Sequence, residues 1–174
     1  MDAKAQRIYL IGFMGSGKST IGPLLSKQLH LPFFDSDIEI ANETGCYISD
    51  IISFRGLDRF RAIEKETLKK LSSKNTGFVI STGGGVALSD ENKRLMKENG
   101  IVIWLKITPE TVQKRLKGDN TRPLLKGRNK DDVQRLMDLR KPHYEAACHF
   151  SIDVDNLLPE EVCRQIITIL NTVQ

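Results

Sequence analysis

The chain has 174 residues, 40% of them hydrophobic and 28% charged, with a net charge of +4. That size and balance suit one folded unit with its own core and exclude a disordered polypeptide. Aromatic residues make up 6%, and there is no arginine-rich tract or basic–aromatic interleave, so the positive charge points to small anionic ligands rather than to nucleic acid. No apolar run reaches the roughly 18 residues of a membrane helix, and no membrane partner is expected. The run Ile8 to Met14 is too short for a signal-peptide core and no small-residue cleavage site follows it. Cys46, Cys148 and Cys163 lie far apart without C-x-x-C spacing. That pattern predicts neither a disulfide framework nor a zinc site, and a reducing cytoplasm is the expected compartment.

The first element is the apolar run Arg7-Ile-Tyr-Leu-Ile11, a buried strand, with Ile8–Phe13 as its broadest extent. Gly12-Phe-Met-Gly-Ser-Gly-Lys-Ser19 follows, then a helix from Lys18 to His30. Pro32–Asp35 is the second strand, and Asp37 is a candidate N-cap for a helix starting at Ile38. A helix over Leu57–Leu71 carries Phe60, Ile63, Thr67, Leu68 and Leu71 on one stripe, with Lys65, Glu66, Lys69 and Lys70 mostly outward. Phe78–Ser81 is the third strand. Ser89 caps a helix to about Glu98, which Asn99-Gly100 ends. Ile101–Lys106 is the fourth strand, and Thr108-Pro109 opens the next helix with Glu110 in its first turn. Gly118 to Asp132 is too polar for a core element and reads as a surface loop or a lid over phosphates. Phe150–Asp153 is the last strand, and Leu158-Pro159-Glu160-Glu161 opens the last helix, with Val162, Ile166, Ile169 and Leu170 as its apolar face. Continuous apolar strands alternating with helices predict a three-layer α/β/α domain on a parallel sheet.

The segment Gly12–Ser19 fits G-x-x-x-x-G-K-[S/T] between a strand and a helix, where the pattern has physical meaning. Glycines let consecutive N–H groups curl around a phosphate, and the helix N-terminus adds positive potential. Gly15, Ser16, Gly17, Lys18, Ser19 and Thr20 are therefore the candidate triphosphate cradle, with Lys18 on the outer phosphates and the Ser19 hydroxyl on Mg²⁺. Asp35 and Asp37 leave the second strand at the edge where open α/β sheets bind ligands, and in an ideal strand they share a side. One suits a metal through water and the other a substrate hydroxyl; Asp37 also suits a helix cap. Ser81-Thr-Gly-Gly-Gly85 sits on the same edge, either as a second ligand surface or as a flexible turn. Arg61, Arg122 and Arg140 are candidate forks for carboxylate or phosphate. His30, His143 and His149 are assigned no chemistry.

Taken in order, these segments resemble the shikimate kinase family over nearly the whole chain. The resemblance is carried by Gly12 to Gly22, Phe34-Asp35-Ser36-Asp37, Phe60-Arg61-Ala-Ile-Glu64, Ser81 to Gly85, Arg122-Pro-Leu-Leu125 and Arg140-Lys-Pro-His-Tyr144. It implies a single P-loop kinase domain over residues 1–174, like a nucleoside monophosphate kinase, with strand order 2-3-1-4-5. A substrate-binding region falls at about 36–64 and a mobile lid at about 116–130. It implies transfer of phosphate from ATP, with Mg²⁺, to the 3-hydroxyl of shikimate, by an expected monomer. In this reading Asp37 holds the reacting hydroxyl, and Asp35 and Ser19 serve the metal. Arg61, Arg140, Gly83, Gly84 and Gly85 hold the acid, and Arg122 closes on the moving phosphoryl group. Arg115 and Pro159 flank the adenine. The chain departs from the family pattern at Leu57, where a glutamate is usual, and at Leu157, where a basic residue is common. The rival expectations are another small-molecule kinase, such as a gluconate kinase, and a catalytically silent nucleotide-binding module.

Overall fold

The computed structural model describes residues 7–116 and 130–173. Five parallel strands form one sheet in the order β2-β3-β1-β4-β5. They are β1 (Arg7–Ile11), β2 (Phe33–Asp35), β3 (Phe78–Ser81), β4 (Ile101–Lys106) and β5 (Phe150–Asp153). Ile8, Tyr9, Leu10, Ile11 of β1 and all four residues of β3 are fully buried, as central strands covered on both faces must be. The expected order and all five strands are present.

The described helices are α1 (Lys18–Leu29), α2 (Ser36–Thr44), α3 (Ile48–Arg55), α4 (Leu57–Ser72), α5 (Asp90–Asn99), α6 (Pro109–Leu116), α7 (Lys130–Ala147) and α8 (Pro159–Thr172). A short 3-10 turn over Val86–Leu88 follows the glycine run. Helices α1 and α8 pack on each other; α4, α5 and α7 form a separate packed layer. The caps follow from the sequence. The Ser89 hydroxyl accepts the Asn92 N–H at 3.3 Å, and the Glu161 carboxylate accepts the Leu158 N–H at 2.7 Å. Among the described residues no helix is long and apolar enough to cross a membrane.

Three local expectations differ from the fold. The second strand stops at Asp35, so Asp37 lies in the first turn of α2 and the two carboxylates do not share a strand face. It is Asp35, not Asp37, that caps this helix, with Oδ1 accepting the N–H groups of Asp37 and Ile38 at 3.0 and 3.4 Å. The tail of the polar stretch, Lys130–Asp132, is the first turn of α7, where Asp131 and Asp132 complement the helix dipole. Helix α3 was not anticipated at all: it is one short piece, Ile48–Arg55, with only Ile51 buried. The lid, apart from its end residues, and Arg122 within it lie outside the described residues.

Two hydrophobic clusters support these elements. The larger one spans both faces of the sheet. The smaller one, Ile40, Ile51 and Phe60, joins α2, α3 and α4. Close contact of α1 with the sheet depends on Gly22, where an added Cβ would lie 2.7 Å from the Ser81 hydroxyl and would also overlap the Phe33 ring. Gly22→Ala gains about 1 kcal/mol of helix propensity but overpacks this contact by about 1–3 kcal/mol. The expected outcome is a net loss of a few degrees in Tm, and calorimetry showing a stabilised variant would refute it.

Candidate active site

Register brings the predicted loops together. Leu10 and Asp35 both align with Ser81, so the Gly12–Gly17 loop, the Asp35 carboxylate and the glycine run leave the sheet at one edge. The ladder continues past the strands. The N–H and the hydroxyl of Thr82 both donate to the Leu10 carbonyl, at 3.1 and 3.0 Å. The Ser81 hydroxyl donates to the Lys18 carbonyl at 2.8 Å, tying β3 to the first residue of α1.

A cleft of about 630 Å³ opens on this edge. Gly15, Ser16, Gly17, Lys18, Ser19 and Thr20 line it, together with Asp35, Asp37, Thr82 and Gly84 and with Arg115 and Pro159. Gly17 caps α1 at φ 93° and Gly12 sits at φ 145°, conformations that only glycine adopts readily. Lys18 is buried, and its ammonium donates to the Gly12 and Phe13 carbonyls at 2.8 and 3.0 Å. The Ser19 hydroxyl donates to Asp35 Oδ2 at 2.9 Å. These two oxygens are hard donors at the phosphate end of the cleft and fit Mg²⁺. Among the described residues no group of three or more acidic, His or Cys side chains could hold a metal, so the cation would need phosphate oxygens and water as further ligands. Arg115 donates to Gly15 O at 3.1 Å and to Val154 O at 3.0 Å. With Val154, Leu157, Pro159 and Val162 nearby, the base end is largely apolar, and Leu157 adds a wall rather than a charge.

A second group of charged side chains lies behind Gly84. Arg61, Gly83, Gly85 and Arg140 do not line the main cleft but adjoin it through the glycine run. Ser36 Oγ accepts the Gly83 N–H at 3.0 Å. A Cβ on Gly83 would meet Glu64 Oε1 at 2.8 Å and Asp37 Oδ1 at 2.9 Å, so both carboxylates face this glycine. The Arg61 guanidinium fills the space that a side chain on Gly85 would need. On the other side, Arg140 is buried, donates to Gly84 O at 3.3 Å and lies 5.3 Å from the Phe13 ring centroid.

Two members of this group escaped the sequence reading as site residues. Glu64 is buried and accepts from Arg61 Nη1 at 2.7 Å. It lies four residues after Phe60, on the buried stripe of α4, and that spacing was its signal. Leu57, half exposed at the start of α4, is not the partner of Arg61; Glu64 is. Tyr144 donates its hydroxyl to Gly84 O at 2.5 Å and follows Arg140 by one helical turn. Burial pushes the Tyr144 phenol up to about 12 against the opposing pull of Arg140, so it is a donor at every working pH.

Burial also raises the Glu64 carboxyl, with Asp37 adding to the rise and Arg61 opposing it. A carboxyl raised on folding stabilises the fold fully below its unfolded value, and that stability fades as pH climbs through the folded value. Glu64→Gln stays uncharged, so its Tm relative to the unaltered chain is expected to improve as pH rises above the ordinary glutamate range. Parallel Tm-against-pH curves would refute this.

The comparisons agree with this geometry. The family model described as shikimate kinase matches residues 14–171. The shikimate kinase of Caldicellulosiruptor saccharolyticus is 45% identical over 165 residues, covering 94% of this chain and 95% of that one. The structure of shikimate kinase from Acinetobacter baumannii in complex with shikimate superposes with a TM-score of 0.92 at 32% identity, covering 97% of this chain and 94% of that one. A gluconokinase from Sinorhizobium meliloti, at 19% identity and a TM-score of 0.66 over 96% of this chain and 92% of that one, shares the fold alone. With a family model matching nearly its whole length, the chain belongs to the shikimate kinase family.

Proposed function

We infer that the chain transfers the γ-phosphoryl group of ATP to the 3-hydroxyl of shikimate. The observation that carries this is the junction at Gly84: one glycine run borders the phosphate cleft on one side and meets two arginines, the buried Arg140 and the half-buried Arg61, on the other. A triphosphate and a small carboxylated acceptor therefore meet along one edge of the sheet.

In this reading the Gly15–Thr20 N–H groups and Lys18 hold the phosphates, and Lys18 exchanges its loop carbonyls for phosphate oxygens. Ser19 and Asp35 are the residues that would hold Mg²⁺, which supplies charge neutralisation on the β- and γ-phosphates when bound. Arg115 and Pro159 flank the base. Arg61 and Arg140 take the carboxylate of the acid, each already fixed by a partner, Glu64 and Gly84 respectively. The N–H groups of Gly83–Gly85 add to that grip. Asp37 orients the acceptor hydroxyl and receives its proton as the new O–P bond forms and the bond to the β-phosphate oxygen breaks. Arg122, outside the described residues, is proposed to close on the transferring group, as the family resemblance implies. Most of the rate comes from positioning and from spreading negative charge, since the chain offers no covalent chemistry to this step.

The direct test is ADP release with Mg²⁺-ATP and shikimate, gluconate, AMP or no acceptor. Stimulation by shikimate alone is the expected result. Stimulation by gluconate instead would keep the nucleotide site and overturn the roles of Arg61, Arg140 and Gly83–Gly85. Basal hydrolysis that no acceptor changes would mark a silent nucleotide-binding module. Lys18→Ala is expected to lower kcat about a hundredfold or more, the loss of about 3 kcal/mol of transition-state stabilisation. A near-native kcat in that variant would remove Lys18 from the chemistry.

A further inference from the structure

We propose that Tyr144 is a positioning residue for the acid, because its hydroxyl sets the direction in which the Gly84–Gly85 peptide offers its N–H group. The proposal rests on the reading that this glycine run binds the acceptor.

On α7 the buried residues Val133, Arg140, Tyr144 and Ala147 form one stripe, and Tyr144 sits directly one turn beyond Arg140. The two side chains converge on a single acceptor, Gly84 O, at 2.5 and 3.3 Å. A trans peptide holds its C=O and N–H antiparallel. Fixing Gly84 O toward α7 therefore turns the Gly85 N–H away from α7. Neighbouring peptides are pinned by other donors and acceptors: Ser36 Oγ takes the Gly83 N–H, and Asn92 Nδ2 donates to Val86 O at 3.1 Å. The Val86 N–H closes a turn onto Gly83 O at 3.1 Å, and within that turn Tyr144 and Arg140 fix the central peptide by its carbonyl. Arg140 is already assigned to the substrate carboxylate, and its guanidinium has to serve the ligand as well as Gly84. Tyr144 carries no substrate contact in that reading, and its hydroxyl also interacts with the Arg140 side chain. It is fixed in turn by Trp104, whose ring lies 5.7 Å away in a tilted pair. Its raised pKa keeps the proton on the phenol, so the hydroxyl remains a donor.

The test compares Tyr144→Phe with the unaltered protein in steady-state assays that vary shikimate and ATP separately. Loss of one buried hydrogen bond predicts about a tenfold rise in KM for shikimate. The KM for ATP is expected to stay within about twofold, since no nucleotide contact is touched. Trp104→Leu, which retains the hydroxyl and loosens the ring, is the control for packing: it is expected to lower Tm and to raise the KM for shikimate less than Tyr144→Phe does. Unchanged KM for shikimate in Tyr144→Phe, or equal rises in both KM values as in a general loosening, would overturn the proposal. Amide hydrogen exchange across residues 81–86 in the ligand-free protein reads the peptide directly. Faster exchange in Tyr144→Phe than in Trp104→Leu is expected, and equal protection would overturn the proposal. If the unaltered protein is not stimulated by shikimate, it is the functional reading that fails, and the exchange result still decides the role of Tyr144.

Discussion

The hydrogen-bond ladder between β1 and β3 is what the rest of the site hangs on. In a parallel pair the register is fixed along the whole strand, so aligning Leu10 with Ser81 also aligns the two loops that follow. Thr82 extends that ladder by donating twice to Leu10 O, and Ser81 reaches across to Lys18 O. The phosphate loop and the glycine run are thus bonded to each other directly rather than held by separate scaffolding. A slip of one residue would turn every buried side chain of β1 to the opposite face and would part the two loops.

On this frame the chain concentrates buried charge. Lys18, Glu64 and Arg140 are all buried, Lys18 next to Gly17 in the chain and the other two packed against Gly83 and Gly84. Taking such groups out of water is costly unless each finds a partner. Lys18 finds carbonyls, Glu64 finds Arg61, and Arg140 finds Gly84 O and the face of Phe13. One oxygen of Glu64 and the Nε of Arg140 remain without a hydrogen-bond partner in this buried setting. Unsatisfied polar atoms of this kind cost stability and are tolerated where a ligand completes them. The strain falls at the acid end, between the glycine run and α4.

Much of this was legible before any coordinates. Apolar runs of four to six residues followed at once by glycines mark strands whose ends carry loops, and all five strands lie where those runs predict. Phosphate-loop spacing named Gly15–Thr20, the aspartate pair and the glycine run named Asp37 and Gly84, and the family resemblance supplied Arg115. What stayed hidden depended on short distances. Whether Asp35 or Asp37 caps α2 turns on a shift of two residues at a strand end, where both are good caps. Glu64 was on the helical stripe, yet charge argued for exposure, and only its pairing with Arg61 reverses that expectation. Tyr144 reaches Gly84 across 60 residues of sequence, a contact that no local pattern encodes. Helix α3 has too few buried residues to announce itself.

The small cluster of Ile40, Ile51 and Phe60 is walled off from the main core, and Phe60 is joined by one peptide bond to Arg61, whose guanidinium also lies 5.2 Å from the Phe60 ring centroid. The Arg61 arm of the proposed acid grip is therefore mounted on a core of its own, while Arg140 and the glycine run rest with the phosphate loop on the main core. Methyl groups exchanged inside that cluster reposition a guanidinium without touching a single ligand contact. On the proposed reading, acceptor selectivity can drift, or be engineered, from the interior of this small cluster while the nucleotide cleft stays as it is.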